Sequence, residues 1–173
     1  MSITMGIVQA RMGSTRFPGK SLVPIWGRMS LLEVVLRRAM RAATMDFVVL
    51  ATSDQAADDA LIPVARDLDI PVFRGDEQDV LQRFCGAIEQ FPADAVVRIC
   101  GDNPLVDPAE IDKLVDFFWA SQPCDYVCND RLDCGLPDGV GAEVVSASAL
   151  RRLDKAADGE LREHVHVCLP SPR

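Results

Sequence analysis

Apolar runs and amphipathic stretches alternate along this chain in a regular order. Short runs of β-branched and apolar residues, typical of buried strands, alternate with stretches in which apolar residues recur at helical spacing. The predicted strands are residues 3–8, 46–52, 70–73, 95–100 and 126–127, and the predicted helices are residues 31–43, 54–68, 77–91 and 108–120. This alternation predicts an α/β fold in which crossover connections build a three-layer, mainly parallel sheet.

Two loops of the predicted sheet carry the polar residues that point to a function. Ligands of open parallel sheets bind beyond the carboxyl ends of the strands. Residues 10–20 follow the first predicted strand at that edge, and residues 101–104 follow the fourth. We therefore expect the two loops to face a single site.

The loop at residues 10–20 has the composition of a phosphate-binding segment. Gly13 and Ser14 allow a sharp turn in which backbone N–H groups converge on an anion. Arg11, Arg16 and Lys20 add three cations to the same loop, and guanidinium groups suit bidentate contacts with phosphate. The loop therefore predicts binding of several phosphates, with an ordinary basic surface loop as the alternative.

The same letters come close to a P-loop, whose pattern is G-x-x-x-x-G-K-[ST]. Residues 13–21 run G-S-T-R-F-P-G-K-S, so five residues rather than four separate Gly13 from Gly19. Pro18 also lacks the N–H that a P-loop would direct at the phosphate. A phosphotransferase with a distorted P-loop is therefore the third and least supported of three functional hypotheses.

Length and composition indicate one domain that spans residues 1–173. The chain has 173 residues, of which 49% are hydrophobic and 25% charged, as in ordinary soluble domains. Its first residues lack the pattern of a signal peptide, and no apolar run is long enough to cross a membrane. We therefore expect a cytoplasmic protein that does not bind a membrane.

Charge is distributed unevenly, which bears on the kind of ligand. The chain has a net charge of −8, yet residues 1–41 carry seven Arg or Lys against the single acidic Glu33. An acidic protein with one basic pole is poorly suited to neutralise the phosphates of DNA or RNA over a wide face. The distribution favours a small phosphorylated ligand such as a nucleotide and argues against nucleic acid.

The six cysteines favour free thiols over disulfides, because a chain of this size without a secretion signal usually keeps its thiols reduced. Cys124, Cys128 and Cys134 could be combined with His164 or His166 as zinc ligands, but they lack the paired C-x-x-C spacing of common zinc sites. Zinc is a minor alternative.

Asp102 is the candidate metal ligand. It follows a predicted buried strand and precedes Asn103 and Pro104, so its carboxylate is expected at the edge of the sheet, opposite the basic loop. Mg²⁺ prefers one or two carboxylates together with phosphate oxygens and water. The arrangement predicts that Asp102 binds Mg²⁺ beside the phosphates, with an Asx turn as the alternative role.

Segments spread over residues 3 to about 167 resemble the cytidylyltransferases of spore coat polysaccharide biosynthesis, which are relatives of the synthetases that make CMP-activated Kdo and acylneuraminate. The two most specific are I-V-Q-A-R-M-G-S-T-R-F-P-G-K at 7–20 and R-I-C-G-D-N-P-L-V-D-P at 98–108. Weaker ones are V-L-A-T-S at 49–53 with Asp58 and Asp59, F-R-G at 73–75 with D-V-L at 79–81 and Arg83, L-P-D-G at 136–139, E-V at 143–144 and R-E-H-V at 162–165.

The resemblance implies a Rossmann-like fold of the nucleotide-diphospho-sugar transferase type and transfer of CMP from CTP to a sugar or acid sugar. The sugar hydroxyl would attack the α-phosphorus and pyrophosphate would leave, in cell-surface or spore coat polysaccharide biosynthesis. Mg²⁺ is the implied cofactor, and a homodimer is compatible with the family. Base choice rests on few contacts, so CTP and UTP both stay open.

The resemblance also implies roles for individual residues. The implied catalytic residues are Arg11, Arg16, Lys20 and Asp102, and the implied nucleotide contacts are Ala10, Arg11, Gly13, Ser14, Thr15, Lys20, Arg74, Gly75, Asp79 and Arg83. Glu143 and His164 are implied to face the sugar. The alternatives are a solvated helix start with an Asp79–Arg83 ion pair, a solvent-facing position in a strand for Glu143, and a surface or packing position for His164.

Two departures from the family pattern accompany the resemblance. Relatives commonly have an Asp where this chain has Gly141, so we expect a sugar contact to be missing or replaced. Relatives also continue past the R-E-H-V segment to a second metal-binding Asp, and we expect that carboxylate to be absent here. A module that binds a nucleotide or sugar nucleotide without turning it over is therefore the second functional hypothesis.

Overall fold

A computed structural model of the chain describes residues 2–14, 17–130, 134–157 and 159–162. The strands are β1 Thr4–Gln9, β2 Pro24–Trp26, β3 Met29–Ser30, β4 Phe47–Ser53, β5 Val72–Gly75, β6 Ala95–Cys100, β7 Tyr126–Cys128 and β8 Glu143–Ser146. The α-helices are α1 Leu31–Ala39, α2 Ile62–Arg66, α3 Val80–Gln90, α4 Pro108–Ala120 and α5 Ala147–Ala156. Short 3-10 helices within the described residues lie at Lys20–Leu22, Ala56–Leu61 and Gly159–Arg162.

The main sheet has six strands in the order β5-β4-β1-β6-β8-β7. The strands from β5 to β6 are parallel, whereas β8 runs antiparallel to both β6 and β7. A separate two-stranded hairpin, β2–β3, lies between β1 and α1 in the chain. The predicted α/β class with a mainly parallel sheet is confirmed.

Helices cover both faces of the sheet and divide the core in two. On one face, α1, α2 and α4 pack against residues such as Val8, Leu50 and Ile99. On the other face, α3 and α5 pack against Ile7 and Val49. Because β1 contributes Ile7 to one core and Val8 to the other, it is buried on both faces, as its continuous apolar run predicted. The three layers follow from this arrangement.

Helices α1, α3 and α4 each begin directly after a residue whose side chain caps them. Ser30 begins α1 by accepting a hydrogen bond from the Glu33 N–H at 3.2 Å, and Asp107 begins α4 by accepting from Ala109 and Glu110. The predicted helix at residues 77–91 begins only at Val80, because the side chain of Asp79 caps it by accepting from the Gln82 N–H at 2.8 Å.

Other boundaries differ from the pattern-based prediction. The stretch 54–68 is a 3-10 helix followed by the five-residue α2, because Asp58 turns back to bond the end of β4. Helix α1 ends at Ala39, four residues before the predicted end. Strand β8, helix α5 and the β2–β3 hairpin were not predicted. Within the described residues, the structure has no helix long and apolar enough to cross a membrane.

Candidate nucleotide site

The carboxyl ends of four parallel strands meet at one edge of the sheet. Strands β1, β4, β5 and β6 end there at Gln9, Ser53, Gly75 and Cys100. The loop that begins at Ala10 and the loop that contains Asp102 both leave from this edge, as the sequence predicted. The candidate site is therefore built on the rigid centre of the fold.

The backbone at Arg11 and Met12 joins the two halves of the loop after β1. The Met12 carbonyl accepts hydrogen bonds from the Ser14 N–H at 2.9 Å and from the Gly19 N–H at 3.2 Å. The Arg11 carbonyl accepts a third from the Ser21 hydroxyl at 3.3 Å. The outgoing and returning halves of the loop therefore meet at Met12.

A buried carboxylate, Asp58, ties this loop to β4. Its Oδ1 accepts from the Met12 N–H at 2.6 Å. Its Oδ2 accepts from the Ser53 hydroxyl at 2.5 Å, the Ser53 N–H at 3.1 Å and the Thr52 hydroxyl at 3.0 Å. Burial by itself would raise the pKa of Asp58, but these hydrogen bonds together hold the pKa below the ordinary value of 3.8. Asp58 is therefore ionised at neutral pH.

The sequence assigned no role to Asp58, although a signal was present. Asp58, Leu61 and Ala65 recur at helical spacing and are all buried, Asp58 with an exposed fraction of 2%. A charged residue at an apolar position of such a pattern is rarely buried without several partners. A charged residue at an apolar position of the pattern is therefore the signal by which the sequence could have indicated a role for Asp58.

The two cations described in the loop each contact an acidic residue of another segment. The Lys20 ammonium group forms an ion pair with the Asp102 carboxylate, which joins the loops after β1 and β6 directly. The Arg11 guanidinium donates to the Glu77 carbonyl at 3.4 Å and lies 3.9 Å from the Glu77 carboxylate. Two of the predicted catalytic residues, Lys20 and Asp102, are thus brought together.

The loop does not have the arrangement of a P-loop. A P-loop leads straight into a helix whose N–H groups bind phosphate. Here the loop leads into the three-residue 3-10 helix at Lys20–Leu22 and then into the β2–β3 hairpin, before α1 begins at Leu31. The structure gives the phosphotransferase hypothesis no support.

The predicted contacts at residues 74–83 lie around the start of α3. Arg74 donates to the Ser53 carbonyl at 3.0 Å and the Gln55 carbonyl at 3.1 Å, and pairs with Asp59 at 2.7 Å. Gly75 is the last residue of β5 and packs against the Arg83 side chain. Arg74 therefore fixes the end of β4.

Arg83 is buried beneath the loop after β5. Its exposed fraction is 4%, and its Nη1 donates to the carbonyls of Asp76 at 2.5 Å and Glu77 at 2.7 Å. Burial, followed by the nearby positive charge of Arg11, lowers the pKa of Arg83 from its usual value. Its Nε is buried without a hydrogen-bond partner. This is not the solvated helix start of the alternative interpretation.

Asp79 pairs with Arg162 and not with Arg83. Arg162 donates from Nε to Asp79 at 2.6 Å and from Nη2 to the Asp154 carboxylate at 2.5 Å. Its Nη1 donates to the backbone carbonyls of Asp154 and Ala157. The first residue of the R-E-H-V segment thereby joins the start of α3 to the end of α5.

The far side of the edge, at β6 and β8, holds a second buried charge. Glu143 accepts from Arg98 at 2.9 Å across the antiparallel pair, and Arg98 also donates to the Gln9 side chain at 3.4 Å. Burial raises the pKa of Glu143, against the opposing effect of Arg98, and the neighbouring Asp130 raises it further. Burial also raises the pKa of Cys100, so its thiol stays protonated. Glu143 is in a strand, as the alternative interpretation held, but it is buried.

Glycines at 101 and 141 are required by close backbone contacts. A Cβ at Gly101 would lie 2.7 Å from the Gln9 carbonyl oxygen. A Cβ at Gly141 would lie 2.5 Å from the Asn129 carbonyl oxygen. Unless the backbone at Asn129 moves, residue 141 therefore has no space for the Asp that is common at this position in the family pattern.

The remaining predicted residues either have a backbone role or lie outside the described part of the chain. Ala10 donates its N–H to the Ala51 carbonyl at 3.2 Å, and Ser14 accepts from the Phe17 N–H at 3.3 Å. Gly13 lies against the Glu77 carboxylate. Thr15, Arg16 and His164 lie outside the described residues.

Asp102 is the carboxylate at the phosphate loop that could bind a metal ion. Asp102 follows β6 at the phosphate loop and its side chain is 42% exposed, so an oxygen ligand can reach a cation there. Among the residues that the structure describes, no group of three acidic, His or Cys side chains could hold a metal. The zinc alternative also requires His164 or His166, which lie outside those residues. The donor set fits a Mg²⁺ ion that keeps phosphate oxygens and water as its other ligands. The five described cysteines are free thiols, as predicted.

Comparisons with known proteins show which proteins this chain is similar to. The sequence profile of the cytidylyltransferase family matches residues 5–167. The uncharacterized protein MJ1063 of Methanocaldococcus jannaschii is 37% identical over 162 residues, which cover 93% of this chain and 64% of the relative. The spore coat polysaccharide biosynthesis protein SpsF of Bacillus subtilis is 37% identical over 172 residues, which cover 95% and 69%.

A solved structure of a cytidylyltransferase from Leptospira borgpetersenii superposes with a TM-score of 0.88 at 32% identity. The superposition covers 95% of this chain and 69% of that one. The chain thus spans about two thirds of the length of these relatives.

Proposed function

This chain belongs to the cytidylyltransferase family, and from that premise we propose that it binds CTP and transfers CMP to a hydroxyl of a sugar or sugar acid, with release of pyrophosphate. The observation that carries the proposal is the contact between Lys20 and Asp102, because it unites the basic loop after β1 with the acidic loop after β6. The name of the Bacillus subtilis relative supports a role in polysaccharide biosynthesis.

The proposed reaction needs positioning and charge stabilisation more than a covalent nucleophile. The acceptor oxygen forms a bond to the α-phosphorus, the bond from that phosphorus to the pyrophosphate oxygen breaks, and the hydroxyl proton passes to solvent water. We assign Arg11 and Lys20, both in the loop after β1, to stabilise the negative charge of the departing pyrophosphate. Mg²⁺, when bound, neutralises phosphate charge, and Asp102 is the residue that would hold it.

We propose that the nucleotide binds on one side of the site and the acceptor on the other. The loops after β4 and β5 lie on one flank of the phosphate loop, and β8 and β7 lie on the other flank, beyond β6. We assign the nucleoside to the first flank, where Arg83 and Asp79 lie, and the acceptor to the second, where Glu143 lies. The acceptor is identified here only as a sugar or sugar acid.

Calorimetry and a pyrophosphate assay test the proposal together. Wild-type protein should bind CTP with Mg²⁺ and release pyrophosphate when a suitable sugar is added. Lys20→Ala should lower turnover by about 100-fold, because one preorganised charge at the reacting phosphates is lost. Lys113→Ala is the matched control, because Lys113 is an exposed lysine on α4 whose contact is Glu110.

Three outcomes of this assay are informative. CTP binding with sugar-dependent release of pyrophosphate supports the enzyme. CTP binding without release across a broad sugar panel would reduce the proposal to a nucleotide-binding module. Equal turnover of the Lys20 and Lys113 variants would remove Lys20 from the site.

A further inference from the structure

Asp58 stands out because it is a buried charge that contacts two different structural elements. It has an exposed fraction of 2% and lies in the 3-10 helix that follows β4. Burial of a carboxylate is unfavourable unless hydrogen bonds replace water, and four donors do so here. Three of the donors belong to Thr52 and Ser53 at the end of β4, and the fourth is the Met12 N–H.

Met12 is the point at which a contact has the greatest influence on the loop. Its N–H lies in the same peptide group as the Arg11 carbonyl, which accepts from the Ser21 hydroxyl, and its own carbonyl accepts from both Ser14 and Gly19. Its neighbours in the chain are Arg11 and Gly13, two of the residues proposed to contact the phosphates. A shift of Met12 would therefore move the Arg11 backbone and the turn at Gly13 together.

We propose that Asp58 is a positioning residue, whose carboxylate fixes the phosphate-binding loop to the end of β4 through the Met12 N–H and so presents the loop to the triphosphate. Asp58 touches no substrate in this role. It acts by presetting the loop, so that CTP does not have to order it on binding. The inference extends the proposed function and rests on it for the identity of the ligand.

Asp58→Asn is the informative substitution because it keeps the shape of the side chain. An amide has one acceptor oxygen and one donor group, whereas all the partners of Asp58 that are described above are donors. If the NH₂ group faces the loop, the Met12 N–H loses its acceptor. If it faces β4, the Thr52 and Ser53 hydroxyls can turn and accept from it, but the Ser53 N–H loses its acceptor. In either orientation the negative charge and one backbone contact are lost.

Asp112 provides the matched control on the opposite edge of the sheet. Its carboxylate accepts from the Thr44 N–H at 2.9 Å and the Thr44 hydroxyl at 2.7 Å, three residues before β4 begins. Asp112→Asn makes the same chemical change in a comparable cap that is remote from the loop. It separates a loss of stability from a loss of loop position.

The experiment combines CTP affinity with amide hydrogen exchange of residues 10–14. Asp58→Asn should raise the dissociation constant for CTP by about 10- to 100-fold, as expected for loss of a hydrogen bond to a charged group. The same variant should speed exchange at residues 10–14 in the absence of nucleotide. Asp112→Asn should change neither the affinity by more than twofold nor the exchange of these residues.

The two readouts separate failure of this inference from failure of the proposed function. If wild type does not bind CTP, the proposed function fails, and faster exchange at residues 10–14 in Asp58→Asn would still support the positioning role. Unchanged exchange and a CTP affinity within twofold of wild type would overturn it. If Asp58→Asn does not fold, Ser53→Ala removes the hydroxyl donor and should speed exchange at residues 10–14 to a smaller extent, and unchanged exchange there would overturn the inference.

Discussion

Two buried carboxylates lie at the same edge of the sheet, and their surroundings differ. Asp58, on the β4 side, accepts from uncharged donors and has a lowered pKa. Glu143, on the β8 side, is paired with Arg98, adjoins a second carboxyl at Asp130 and has a raised pKa. At Asp58 the hydrogen bonds together outweigh the effect of burial on the pKa, whereas at Glu143 burial and the neighbouring Asp130 outweigh the effect of Arg98.

The two sides of the site therefore differ in what holds them. Hydrogen bonds fix the phosphate loop on one side, and a buried pair of opposite charges lies on the other. On the β1–β4 side, hydrogen bonds to Asp58 fix the phosphate loop while Arg11 and Lys20 remain partly exposed. On the β6–β8 side, the Arg98 and Glu143 side chains are only 12% and 7% exposed. Substitutions on the first side should alter nucleotide binding, and substitutions on the second should alter stability first.

The largest expected effect is a loss of stability when the buried Arg98–Glu143 pair is broken. Arg98→Met leaves Glu143 buried without its cation, which typically costs about 3–5 kcal/mol of unfolding free energy. The double variant with Glu143→Leu should recover most of this loss, because neither charge then remains buried. Urea unfolding of the two single variants and the double variant measures the coupling. Simple additivity of the single effects would contradict the account.

The next effect concerns the metal ligand on the shared edge. Asp102→Asn should lower Mg²⁺-dependent turnover by about 100-fold, equivalent to about 3 kcal/mol, because a neutral amide binds a hard cation poorly. The Asp102 side chain is 42% exposed, so the thermal midpoint should stay close to that of wild type. Full activity of a folded Asp102→Asn variant would exclude the metal role.

A methyl group at Gly101 tests how closely the two loops approach. Gly101→Ala would place a carbon 2.7 Å from the Gln9 carbonyl oxygen and 2.8 Å from the Ala10 Cβ. Because these neighbours lie where β1 leads into the phosphate loop, a shift should cost about 1–3 kcal/mol of stability and weaken CTP binding. Chemical denaturation and a CTP titration measure the two effects, and an unchanged variant would show that the loops can separate freely.

The smallest effect is a difference in pH dependence. The folded-state pKa of Asp58 lies below 3.8, so its contribution to stability is present above that pH and is lost as pH falls through the folded value. Glu143 has a folded-state pKa above 4.5, so it takes up a proton in the native state first, and its contribution to stability grows as pH falls toward 4.5.

Acid titration of the unfolding free energy checks these signs. At the acid end, the unfolding free energy of Asp58→Asn should fall less steeply with pH than that of wild type. On mild acidification, the unfolding free energy of wild type should gain a contribution from Glu143 that Glu143→Gln lacks. One titrating group changes the slope by at most about 1.4 kcal/mol per pH unit. Slopes of opposite sign would contradict the assignment of the two carboxylates.

The sequence predicted the architecture because the signals were local. Apolar runs predicted β1, β4 and β6, the capping residues Ser30 and Asp107 predicted the starts of two helices, and glycines and cations marked the phosphate loop. The contacts that fix the site are long-range and left no such pattern. The partners of Lys20, Arg162 and Asp58 lie 82, 83 and 46 residues away in the chain, and only the folded sheet brings them together.

The most direct test of the central claim follows the phosphorus atoms of CTP by ³¹P NMR in the presence of Mg²⁺ and a panel of sugars. The account predicts that the α-phosphorus signal moves to that of a sugar phosphodiester while an equal amount of pyrophosphate appears. A triphosphate that is bound but unchanged with every sugar would contradict transfer. Appearance of CDP would instead show transfer of the γ-phosphate and would contradict the assignment to a cytidylyltransferase reaction.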